Sequence, residues 1–141
     1  MKAAVLNEIP GQLEIEEVVI DKTGPDEVLI ETKNSGLCHS DLHFMEGHWQ
    51  MKLPVVMGHE AAGIVEAVGE NVRYVKPGDR VITCLSLFCG NCDLCLGGRM
   101  SLCQNYGATA RPKGAPSRLT SKTGVELGQF ARLGSFAEQM L

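Results

Sequence analysis

Four cysteines, Cys89, Cys92, Cys95 and Cys103, are separated by two, two and seven residues. Two-residue spacings let successive thiolates turn toward one centre while free backbone N–H groups donate to the sulfurs. Gly90, Gly97 and Gly98 permit the tight turns that such wrapping needs. Four soft thiolates suit tetrahedral zinc, with bonds of ~2.3 Å and no open position, which is a structural arrangement. Two other chemistries use the same residue type. A bacterial iron–sulfur run also opens Cys-x-x-Cys-x-x-Cys, but its fourth cysteine comes sooner and precedes proline, whereas Gln104 follows here. Disulfides suit an oxidising compartment, to which nothing in the sequence points. The spacing therefore favours a zinc lobe over residues 88–104, with iron–sulfur and disulfide readings as the rivals. Cys84, within Val-Ile-Thr-Cys-Leu, reads as a small buried core residue.

A second group spans Cys38-His39-Ser40-Asp41-Leu42-His43 and Gly58-His59-Glu60. Each member has a plainer reading: a lone histidine is usually a hydrogen-bonded structural residue, and a lone cysteine usually core. If Cys38 and His59 shared a cation, the mixed ligation with an unfilled position would be that of a catalytic zinc, which acts as a Lewis acid.

These loops need strands to hold them. Lys2–Leu6 is apolar, Pro10-Gly11 turns, and Leu13–Ile20 follows, its alternation broken at Glu16-Glu17, where a bulge or edge is expected. After the Gly24-Pro25-Asp26 turn, Glu27–Lys33 alternates with Val28, Ile30 and Thr32 on one side. Ser40 is placed to cap a short helix that Gly47 stops. Val55–Val72 predicts bent strands broken by Gly58, Gly63 and Gly69, Lys76-Pro77-Gly78-Asp79 a type II turn, and Arg80–Leu85 a further strand. Asn105–Gly128, polar and rich in Gly, Pro, Ser and Thr, predicts a long surface loop, and Gln129–Leu141 a last strand. The fold class is mainly β: a curved barrel or sandwich with a few short helices and a metal lobe, formed by residues 1–141 as one domain. The chain stops within an apolar stretch at Met140-Leu141, which predicts a fragment of a longer protein.

Composition narrows the function classes. Hydrophobic residues make up 44% and charged residues 21% of the 141, as in an ordinary globular chain. A net charge of −4 offers no footprint for nucleic acid or an anionic membrane. The N-terminus lacks the apolar length of a secretory signal or a membrane span, so the cytoplasm is the expected location.

Gly58-His59-Glu60-Ala61-Ala62-Gly63, followed by Gly69 and Lys76-Pro77-Gly78-Asp79-Arg80-Val81, resembles the signature of the zinc-dependent alcohol dehydrogenases. The intervals from Cys38 to His59 and from His59 to Cys89 resemble that family's as well, in the same order along the whole chain. The resemblance is to the medium-chain dehydrogenases, whose catalytic domain has a GroES-like β fold. The long stretch between Cys103 and Phe136 looks more like the liver-type branch than the yeast-type one.

The resemblance implies that Cys38 and His59 are catalytic-zinc ligands, with Glu60 behind the metal and able to enter its shell. Asp41 would accept a hydrogen bond from the His59 ring. Ser40 would hydrogen-bond the substrate hydroxyl, His43 would complete a proton relay, and His39 would meet the coenzyme pyrophosphate. Trp49, Leu85 and Leu102 fall where the family lines its substrate pocket. His48 receives no role. The family's third catalytic-zinc ligand would lie beyond residue 141, and no Gly-x-Gly-x-x-Gly occurs to cradle NAD or NADP, so a Rossmann domain is absent from this chain. The implied parent oxidises small alcohols to aldehydes or ketones with two zinc ions per subunit and assembles as a homo-oligomer, and the fragment alone is expected to be inactive. The competing class is a non-enzymatic zinc module. It accounts for Cys89–Cys103 and leaves Cys38, His59 and Glu60 as coincidence.

Overall fold

The computed structural model describes residues 1–109, 111–112 and 114–141, the side chains of 108 and 109 excepted. The chain forms two compact units, one of residues Met1–Thr83 with Ser117–Leu141 and one of Cys84–Pro116. Among the described residues no helix is long and apolar enough to cross a membrane.

In the first unit, strands β1 (Lys2–Leu6), β2 (Leu13–Ile20), β4 (Val55–Val56), β7 (Leu119–Ser121) and β8 (Glu126–Gln129) close a barrel in the order β1-β2-β7-β8-β4. Strands β3 (Val28–Ser35), β5 (Ala61–Val68), β6 (Arg80–Ile82) and β9 (Gln139–Met140) form a four-stranded sheet in the order β6-β5-β3-β9. The fold is mainly β, as the turn-rich sequence predicts.

Neighbouring side chains on a strand face opposite ways, so a strand covered on both faces is apolar without alternation. β1 and β4 are such strands. Ala3, Val5 and Val56 pack with Val18, Leu119 and Leu127, while Leu6 and Val55 turn the other way to join Met57. Burying each large aliphatic side chain contributes roughly 1.5–3 kcal/mol. The second cluster also receives Phe44 and Met45 from helix α1 (His39–Met45). Phe44 and Met45 lie three and four residues after Asp41, so one helical face carries two apolar anchors and a buried carboxylate.

The structure corrects several sequence expectations. At Glu16-Glu17 the structure has an edge and not a bulge, since both residues pair with β1 alone. β2 pairs with β1 in unbroken register over Leu13–Glu17 and with β7 only over Val18–Ile20. Glu14 and Glu17 are exposed and Glu16 half-buried, and the register shifts fall in the β3–β5 ladder. The expected loop Asn105–Gly128 contains β7 and β8, whose inward contribution is essentially Leu119 and Leu127, too little to make a pattern. Gln129–Leu141 is mostly not strand. It makes a helical turn over Phe130–Arg132 and then docks by backbone bonds, Phe136 N to Met57 O at 2.9 Å and Ala4 N to Phe136 O at 2.7 Å. Strand β6 stops at Ile82. The turn at Lys76 closes as expected, Asp79 N donating to Lys76 O at 3.1 Å.

Candidate functional site

The helix cap is the first surprise of the site. Cys38, not Ser40, takes the N-cap of α1, in extended backbone (φ −87°, ψ 146°). Its thiol makes no capping hydrogen bond, so the sulfur is left for other partners. Ser40 stands one residue inside the first turn, and His43 shares its face three residues on.

His59 comes from the loop between β4 and β5, and a positive φ of 89° at Gly58 turns the chain there. A Cβ at Gly58 would fall 2.4 Å from Phe136 Cδ1 and 2.6 Å from Ser135 Oγ, so only glycine fits. Gly58 N donates to Asp41 Oδ1 at 3.1 Å, tying this loop to α1. The ring of His59, 5% exposed, sets Nδ1 3.4 Å from Asp41 Oδ2. Neither atom has any other partner, and the approach is longer than an ordinary hydrogen bond. With Nδ1 turned to the carboxylate, Nε2 is the nitrogen left for a cation.

Ligating atoms of Cys38, His59 and Glu60 lie within 4.8 Å of one another. Glu60 is exposed and Cys38 half-buried, so the group opens outward from a buried histidine. Phe130, which no sequence motif marks, stands edge-on to His59 (centroids 5.1 Å) and to Phe44 (5.0 Å). It walls the imidazole with apolar surface. Above α1 the ring of His43 is stacked on His39 at 4.6 Å and tilted against Trp49 at 5.0 Å. Trp49 is about half exposed.

In the second unit the four expected cysteines come together. Cys89, Cys92, Cys95 and Cys103 place their sulfurs within 4.8 Å of one another, and all six cysteines are free thiols. Individual Sγ···Sγ distances are 3.9 Å (Cys89–Cys95), 3.5 Å (Cys92–Cys95) and 4.0 Å (Cys92–Cys103). Tetrahedral bonds of ~2.3 Å require sulfurs roughly 3.8 Å apart, so the cage has the dimensions for such an ion. A disulfide needs ~2.05 Å.

Backbone N–H groups of Cys89 and Asn105 each reach Cys103 Sγ at 3.3 Å. Helix α2 (Asp93–Leu96) again begins at a cysteine N-cap, Cys92. The N–H groups of Cys95 and Gln104 lower the Cys92 thiol to about 6, and that of Asn91 lowers Cys89. Burial, reinforced by the proton shared with Cys92, raises Cys95 to about 11. Without a cation the cage therefore holds both thiolate and thiol. Leu85 and Leu102, expected to line a pocket, belong to this unit and are exposed. Cys84, expected in the core, is exposed as well.

Comparison with known proteins shows the family. Residues 24–141 match the family model of the alcohol dehydrogenase GroES-like domain. An NDMA-dependent alcohol dehydrogenase of Amycolatopsis methanolica is 42% identical over 140 residues, 98% of this chain and 38% of that protein. Among solved structures, an alcohol dehydrogenase zinc-binding domain protein from Burkholderia ambifaria superposes with a TM-score of 0.85 at 35% identity, over 99% of this chain and 38% of that one. Benzyl alcohol dehydrogenase from Acinetobacter calcoaceticus gives a TM-score of 0.80 at 30% identity with the same coverage. The chain thus spans 38% of the length of these relatives.

Proposed function

The chain belongs to the alcohol dehydrogenase GroES-like domain family, and on that footing we propose that it supplies the zinc centres and substrate face of a zinc-dependent alcohol dehydrogenase. The whole protein would interconvert small alcohols with aldehydes or ketones, passing hydride to NAD or NADP. These residues contain no Gly-x-Gly-x-x-Gly cradle for that coenzyme, so they do not fit it. The observation that carries the proposal is the convergence of Cys38, His59 and Glu60 donors within 4.8 Å, backed by the buried Asp41–His59 pair.

Cys38 and His59, with Glu60 in reach, would hold a zinc ion, which would supply Lewis-acid polarisation of the substrate hydroxyl. Asp41 holds the proton of His59 on Nδ1, which fixes the tautomer and makes Nε2 the better donor. Ser40 accepts the hydrogen bond of the hydroxyl, and His43, on the same helical face, carries its proton outward. His39 stacks on His43 and fixes the plane of that ring. Phe130 keeps water from the inner edge of His59. In the second unit, zinc bound by Cys89, Cys92, Cys95 and Cys103 has a structural role alone.

The test has two parts. In the whole protein, alcohol-dependent reduction of NAD+ or NADP+ is expected and Cys38→Ser abolishes it; turnover that survives this change would sink the reading. In the present chain, equilibrium dialysis should find one tightly held zinc that depends on Cys92 and a weaker one that depends on Cys38 and His59.

A further inference from the structure

Helix α1 ends in an arrangement that the proposed chemistry does not use. Gly47, at φ +84°, donates its N–H to Phe44 O at 3.1 Å, and His48 donates to His43 O at 2.9 Å. These are the two bonds of a Schellman cap, with Gly47 as the left-handed residue. This cap folds the residue after the glycine back over the helix, where it usually meets an apolar side chain one turn earlier. Here both partners are imidazoles, and the cap residue between them is Glu46.

The result is a three-donor cluster. Ligating atoms of His43, Glu46 and His48 lie within 4.8 Å of one another. His48 Nε2 stands 3.2 Å from Glu46 Oε2, and the rings of His43 and His48 meet edge-on at 79° with centroids 5.3 Å apart. An exposed Glu–His pair alone is an ordinary surface contact worth little. Two features raise this one above that level. His43 is held in place by His39 and Trp49, and its Nδ1 is a buried nitrogen with no hydrogen-bond partner.

We propose that His43, Glu46 and His48 form a separate site for a divalent transition-metal ion. Two neutral imidazoles and one carboxylate suit nickel, copper or zinc, and contain none of the thiolates of the other two groups. Closing on an ion with ~2.1 Å bonds asks the donors to approach one another further. Glu46 and His48 are exposed enough to do this by side-chain rotation, with His43 as the fixed point. An ion here engages the imidazole assigned above to proton transfer. On that reading, which this consequence rests on, the site is inhibitory: an ion held by His43 occupies the imidazole that would carry the substrate's proton.

The probe is nickel alone, titrated calorimetrically into the chain with its cysteine sites already filled with zinc. One nickel should bind, with affinity at least tenfold lower in His48→Ala and in Glu46→Gln. Both changes fall on exposed side chains, so the fold persists. Nickel should also broaden the imidazole NMR signals of His43 and His48 together. Equal affinity in wild type and both variants, or broadening that spares these two rings, overturns the site. In the whole protein, nickel should slow alcohol turnover and do so less in His48→Ala. Nickel that binds without slowing turnover overturns the inhibitory role and the relay role of His43, while the site itself stands.

Discussion

The two cysteine-containing groups each place a cysteine at a helix N-cap, yet they rest on different supports. Cys38 caps a helix anchored by Phe44 and Met45 in a hydrophobic cluster, and His59 leans on a carboxylate that is itself buried. The first unit would keep that geometry without a cation, because strands and core residues such as Leu6 and Met57 supply it. In the second unit the described buried residues are Cys95 and Cys103, two of the four thiols. Leu85, Phe88, Leu96, Met100, Leu102 and Tyr106 are all exposed. On the proposed function, a metal would be the core of the lobe, and in the first unit a guest on a finished scaffold. A scaffolded site can keep a position open for chemistry, whereas a site that must hold its own fold together closes every position.

The strongest way to break this contrast is to remove the metal. Cys92→Ser, or a strong chelator, should unfold residues 84–116 and leave the barrel intact. Structural zinc carries on the order of 10–16 kcal/mol of apparent binding free energy in small domains, far above what this lobe can gain from its few buried groups. Amide exchange should show protection lost in the lobe and kept at Val5, Leu6 and Val56. Loss of protection in both units would remove the distinction.

Acid should reach the same end through protons. The Cys92 thiol is lowered from 9.0 to about 6 in the folded chain by N–H donors. A depressed value means that the thiolate's contribution is complete above 9 and is lost as pH falls through about 6. Bound zinc lowers it further, so zinc should stay on the lobe at pH 7 and leave below about 6, followed with a colorimetric chelator. Release that begins above pH 7 would contradict the assignment of Cys92 as a backbone-stabilised thiolate.

How much of this could be read from the sequence depends on how local each feature is. The four-cysteine cage was legible because its ligands lie within one short segment, and the wrapping chain is its own scaffold. Cys38 and His59 were each ambiguous as residues. Their convergence depends on the β4–β5 loop folding back over α1, and only the family resemblance drew them together. Phe130 was invisible, since its contact with His59 depends on a helical turn with Ala131 and Arg132 at positive φ, where the sequence suggests a strand. Ser40 reads as the cap because serine is a good N-cap, but the cap lies two residues earlier, with a thiol in that place. β7 and β8 went unseen since Thr120, Ser121 and Glu126 look like loop and only one leucine on each strand is fully buried.

The core of the first unit gives the converse test. Leu6 is fully buried between Val55 and Met57, so Leu6→Ala should cost about 2–5 kcal/mol by lost transfer energy and a residual cavity. Chemical denaturation followed by the fluorescence of Trp49, the sole tryptophan, would measure it. The zinc content of the lobe should not change.

The smallest effect tests the support of His59 directly. Asp41→Asn preserves shape and the bond from Gly58 N, which the amide oxygen can still accept, but removes the charge facing Nδ1. In that same orientation the asparagine NH2 takes the place of Oδ2 and presents a donor to Nδ1, and the ring would then favour its proton on Nε2, the nitrogen a cation needs. Losing such a partner typically lowers metal affinity 10–100-fold, or about 1.4–2.7 kcal/mol. The stability of the barrel should move less, since both side chains keep their places and His59 keeps its packing against Phe130. Dialysis should therefore find the weaker zinc equivalent further weakened and the lobe's zinc untouched. An unchanged weak site would mean that Asp41 serves only to fasten Gly58 to α1, and that His59 reaches its orientation through packing alone.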